Sequence, residues 1–134
     1  MRMSSFAKVL TATDVGSNGS HQGGPLIPSS VSGVLPQPVT SMTATAAIDV
    51  QIDVSRNGRS LGTTEASVVA HSRNLSRNDE THLTGLLPVA RPKAGDVMVV
   101  TRTGRRRYSV DIVSRSRAKA VKARLGGQRY GYMS

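Results

Sequence analysis

Between Ala46 and Val54 the chain alternates: Ile48, Val50, Ile52 and Val54 are separated by Asp49, Gln51 and Asp53. Successive side chains of a strand point to opposite faces, so this run has one apolar face and one wet face. A helix would scatter both. Asn57-Gly58 follows directly, and both residues accept the positive φ of a type I′ turn, which makes the pair a strong hairpin signal. Thr63–His71, with Val68 and Val69, is then the returning strand. A second hairpin is expected from Asp96–Thr101, through Gly104 and three arginines, to Tyr108–Ile112. Neither stretch shows a helical period, so the middle of the chain is β.

The flanks are less regular. Residues 1–13, with Phe6, Val9 and Leu10, read as a first strand or an ordered lead-in. Asp14 to Pro25 is too rich in Gly, Asn and Asp for regular structure to be expected there. Ser29 or Ser30 is placed to cap a single helical turn that Pro36 would end. Ser114 and Ser116 are placed to cap the one good helix, about Arg115 to Leu125, which Gly126-Gly127 stops. Gln128 to Tyr132 is expected to be flexible. The fold class that follows is mainly β with one or two short helices. At 134 residues, division into two would leave pieces too small for a good core. The only aromatics are Phe6, Tyr108, Tyr130 and Tyr132, so that core must be aliphatic.

Charge narrows the function. Eighteen Lys and Arg against eight Asp and Glu give +10. Residues 1–67 are balanced at four of each sign, so residues 68–134 carry the whole excess. From Thr101 onward ten basic residues face one acid, Asp111. Such asymmetry costs self-repulsion unless a polyanion meets it, and nucleic acid is the commonest one in a cytoplasm. Charge alone leaves DNA, RNA and a merely basic surface open.

Catalytic signatures are missing. There is no cysteine, hence no disulfide, thiolate metal site or cysteine nucleophile. His21, His71 and His82 have no metal-ligand spacing, and the glycines at 16–24 end in no Gly-Lys-Ser/Thr. Asp79-Glu80 lacks the lysine two residues on that a metal-dependent nuclease would use. No catalytic residue, metal or cofactor is expected, and the chain is read as a non-enzyme. Met1–Phe6 lacks the apolar stretch of a secretory signal, and no run approaches the ~18 apolar residues of a membrane span. A cytoplasmic protein with no membrane association is the default.

Two polar clusters suit base recognition. The first is Gly19-Ser20-His21-Gln22-Gly23-Gly24, with freed backbone amides and a glutamine able to pair bidentately with adenine. The second is Arg73, Asn74, Arg77 and Asn78, since Arg reads guanine and Asn reads adenine in the same manner. Taken alone, each reads first as a plain solvated loop. Gly104-Arg105-Arg106-Arg107 at a hairpin tip, and the basic helix after it, suit phosphate contacts, which position a protein without reading sequence.

At these clusters a resemblance emerges. Leu10-Thr11-Ala12-Thr13-Asp14-Val15-Gly16-Ser17-Asn18-Gly19-Ser20-His21-Gln22-Gly23-Gly24, followed by Ile27-Pro28, resembles the N-terminal effector-binding domain of EcoRII-type restriction endonucleases. Ala70-His71-Ser72-Arg73-Asn74-Leu75, with Arg77-Asn78 and Leu83-Thr84 beyond, is similar to the same family's second motif. The resemblance spans roughly residues 7–113. It differs at Ser20, where the family has a second glycine, at Leu26, where an aromatic is usual, and at Thr81 and His82, where the family is usually basic.

What the resemblance implies is a DNA-binding pseudobarrel of about seven strands over residues 1–113, followed by a basic helical or flexible tail over 114–134. Two arms, Asp14 to Leu26 and Arg73 to Thr84, would grip the major groove of double-stranded DNA. In that family the occupied domain activates a catalytic domain, which this chain lacks, so a separate nuclease subunit in a restriction-modification setting is a possible partner. The base-contacting candidates are His21, Gln22, Arg73, Asn74, Arg77, Asn78, Glu80 and His82, with Lys8, Arg102, Arg105, Arg106 and Arg107 as phosphate anchors. The alternatives are an RNA-binding or ribosome-associated basic protein, against which the sparse aromatics argue, and an endonuclease whose site escapes recognition.

Overall fold

In a computed structural model, which describes residues 4–16, 24–28, 30–36, 45–71 and 80–133, the described residues form eight strands and three short α-helices. In order they are β1 (Ser5–Val9), α1 (Ala12–Val15), β2 (Leu26–Ile27), β3 (Thr45–Arg56), β4 (Arg59–His71), β5 (Glu80–Thr84), α2 (Leu87–Ala90), β6 (Val97–Gly104), β7 (Arg107–Val113), α3 (Lys119–Leu125) and β8 (Tyr130–Tyr132). Two 3₁₀ turns, Ser32–Val34 and Arg115–Arg117, complete the set. The strands make one sheet in the order β2-β5-β4-β3-β7-β6-β1-β8, curled into a half-barrel. Among the described residues every pairing is antiparallel except β3 with β7.

The alternating run folds as its pattern requires. Val50, Ile52 and Val54 are buried, and Asn57 (φ 50°) and Gly58 (φ 82°) turn the chain into β4. Facing positions of β4 and β7 supply Ala66, Val68, Tyr108, Val110 and Ile112, which join Phe6, Leu83, Met98 and Val100 in the main core. On the outer face the polar half of the alternation is hydrogen-bonded across strands. Asp49 accepts from Ser67, Asp53 from Thr63 and Asp111 from Ser55, each at 2.7 Å.

Four expectations are corrected. The Asp14–Pro25 stretch is not irregular throughout, because Thr11 and Asp14 form a reciprocal capping box that starts α1. The helical turn after Ser30 begins at Ser32 and has no side-chain cap. The helix over 115–125 divides at Ala118 into a 3₁₀ turn and α3. Ser114 does not cap it, because its hydroxyl accepts from Asn57 instead. Gly126, at φ 61°, ends it as expected. Finally, Tyr130–Tyr132 is not a loose end. It pairs with β1, and Ala118, just before α3, and Leu125, at its end, pack on Ala7 and Val97 as a second, smaller core. Residues 114–133 are thus joined to the sheet through β8 and this second core. Among the described residues no helix is long and apolar enough to cross a membrane.

Candidate nucleic-acid interface

The first polar cluster is held at its base by one carboxylate. Asp14 is 2% exposed, and its oxygens accept from the backbone amides of Thr11 (3.0 Å) and Leu26 (3.1 Å) and from the Lys8 ammonium (2.9 and 3.0 Å). Residues 17–23 are thus bracketed by chain ends tied to a single side chain. Burial alone would raise the Asp14 pKa. The hydrogen bonds from Lys8, Thr11 and Leu26 and the charge of Lys8 outweigh it, and the carboxyl is held below its ordinary value. Lys8 also donates to the Leu26 carbonyl at 2.6 Å. Since β1 and β2 stand seventh and first in the sheet order, these bonds span the open side of the half-barrel.

Past the first cluster, Gly24 lies against β5. A Cβ there would sit 1.8 Å from the Leu83 carbonyl oxygen, so no larger residue fits without moving backbone. Leu26 and Ile27 then pair with His82 and Thr81. Residues 72–79 join His71 to Glu80 at the other end of the same strand. The two clusters are rooted at opposite ends of β5, about 13 Å apart for a strand rise of ~3.3 Å per residue.

This geometry redraws the expected arms. Glu80 to Thr84 is strand, and Asp14 and Leu26 belong to the scaffold, so the rest of the expected arms, 17–23 and 72–79, lies outside the described residues. His21, Gln22, Arg73, Asn74, Arg77 and Asn78 lie outside the described residues. Glu80 opens β5 opposite His71. His82 is 8% exposed, between β2 and β4, and is covered rather than presented to a groove.

The expected phosphate anchors separate into two groups. Lys8 is 7% exposed and its ammonium is consumed by Asp14 and Leu26, so it closes the fold instead of facing solvent. Arg102 is half-buried and committed to the backbone. It donates to the carbonyls of Val34 (2.5 Å) and Gly33 (3.3 Å), and burial raises the pKa of the Tyr108 phenol beside it despite the guanidinium's charge. Arg105, Arg106 and Arg107 are exposed at the β6–β7 tip. Arg107 shares its charge with Asp53 at 3.4 Å, and Arg106 lines a shallow cleft with Asp49, Gln51 and Glu65.

Sequence reasoning passed over the cations around the Asn57-Gly58 turn. Arg56 and Arg59 flank it as register partners, and Arg115 and Arg117 stand beside it on the turn after β7. The arginines on either side of Asn-Gly were the available signal. Among the described residues no group of three or more His, Asp or Glu side chains could hold a metal ion. No protein-family model matches the chain, and no curated protein matches it significantly.

Proposed function

We propose that this chain is a sequence-specific double-stranded DNA-binding protein of the pseudobarrel type, with residues 17–23 and 72–79 as two arms in the major groove. The observation that supports this reading is that both segments connect to one short strand, β5, at its two ends. Gly24, which follows the first segment, lies against Leu83 and Thr84, and Glu80, which follows the second, opens the strand, so about 13 Å of β5 separates the two points of attachment. The charge excess of residues 68–134 supports it as the source of backbone attraction. The outer face of β3, β4 and β7, with Asp49, Asp53, Glu65 and Asp111, is acidic and unsuited to a phosphate backbone. The duplex is therefore engaged from the arm side. A separate nuclease chain activated by the occupied domain is the corresponding partner, and no catalytic role is assigned to this chain.

Arg73→Ala and Arg77→Ala test the reading. Each should weaken binding to the preferred duplex by roughly 5- to 150-fold and relax preference at one base pair, the cost of a lost bidentate contact. Equal weakening on every duplex sequence would assign that arginine to the backbone. Structured RNA competing as strongly as duplex DNA would overturn the reading.

A further inference from the structure

The end of the half-barrel at the β3–β4 turn carries a basic groove. Two adjoining clefts, of about 480 and 550 Å³, share Arg56, Ser114 and Ser116 as common walls. The first adds Asn57, Arg59 and Arg117, and the second Lys93, Asp96 and Arg115. Five cations thus line one groove. The acids within reach are Asp96 and Asp111, and both are engaged with the scaffold. Asp96 accepts from the amides of Lys93 (2.9 Å) and Arg115 (3.1 Å), and Asp111 from the amide of Gly58 (3.0 Å). Five cations against two carboxylates leave +3 in the groove.

The walls are fixed before any ligand arrives. The Asn57 side chain both donates to the Ser114 hydroxyl and accepts from the Ser114 amide, each at 2.9 Å, pinning the hairpin tip to the 3₁₀ turn. Arg56 donates to the carbonyls of Ala90 and Arg91 and sits 3.5 Å from Asp96, forming the floor. Arg59 and Arg117 are exposed, and among the described residues neither side chain has a hydrogen bond or ion pair. Opposed arginines across a hairpin repel. A structure that spends two side-chain hydrogen bonds to hold such a cluster together, and leaves its outer guanidinium groups uncommitted, is suited to an oxyanion with several acceptor oxygens.

We infer that this groove is a phosphate-binding site, with Arg59 and Arg117 as the contacting forks and Ser116 beside them. It is independent of the major-groove reading, because its ligand chemistry is the phosphate group itself, whether of a nucleic-acid backbone or of a free phosphorylated compound. The test is an amide-resolved NMR titration of the full chain at low ionic strength, first with pyrophosphate and then with a short duplex. Pyrophosphate should shift Arg59, Ser114, Ser116 and Arg117 saturably. The double variant Arg59→Ala, Arg117→Ala should weaken that binding at least about tenfold while keeping the melting temperature, as expected for lost charge-assisted bonds at an exposed site. If the duplex shifts the same resonances and pyrophosphate displaces it, the phosphate is that of a backbone. If only pyrophosphate acts there, it is a free compound. Shifts equally large at Arg124 and Arg129, or unchanged binding in the double variant, would overturn the site whatever the arms do.

Discussion

Lys8→Met should lower the stability of this protein by about 3–5 kcal/mol, because it leaves a buried carboxylate without its counter-charge. In a thermal melt followed by circular dichroism this corresponds to a fall of roughly 10 °C or more. The same substitution should leave duplex affinity per folded molecule unchanged, since the ammonium faces Asp14 and Leu26. The pair also sets an acid limit. The folded-state pKa of Asp14 is depressed, so its contribution is fully present above the ordinary carboxylate value near ~3.9 and is lost as pH falls through the folded value. Asp14→Asn should flatten that part of the stability profile. An unaltered melting temperature in Lys8→Met, accompanied by a loss of DNA affinity, would return Lys8 to the role of phosphate anchor.

Truncation after Val113 should be equally severe. It removes Leu125, Ala118 and Met133 from over Ala7 and Val97, strips β8 from β1, and deletes the Ser114 and Arg115 amides that Asn57 and Asp96 bind. A fully buried leucine alone is worth about 1.5–3 kcal/mol. The whole loss is on the order of 5 kcal/mol, comparable with the total stability of a small domain. The shortened chain should show no cooperative melt, or one at a much lower temperature. A truncated protein melting within a few degrees of the full chain would restore residues 114–134 to the status of an appendage.

The parts of this fold that could be read in advance are those whose local chemistry decides their conformation. The β3–β4 hairpin needs only alternation and Asn57-Gly58, and Gly126 stops α3 because it adopts a left-handed conformation freely. The short strands were not legible for the opposite reason. The Leu26–Ile27 and Tyr130–Tyr132 segments are two and three residues long, and each becomes strand only by lying against β5 or β1. Lys8 is the clearest case at the candidate site. A lysine on an otherwise apolar strand suggests a solvent-facing charge, and its acid is six residues away in a segment that looks like loop. Only the turn of α1 brings the two together. Arg102 misleads similarly, because the carbonyls that hold it belong to Gly33 and Val34, far back in the chain. Glu80–Thr84, inside the expected second arm, is strand because it pairs with β4, which its own composition does not signal.

The idea that two segments rooted on β5 read a duplex is tested most directly by selection from a randomised double-stranded DNA library at physiological salt. Enrichment of one short, nearly palindromic site, lost together in Arg73→Ala and Arg77→Ala, is the expected result. Recovery of a pool with no sequence in common, bound only through a steep salt dependence, would contradict it.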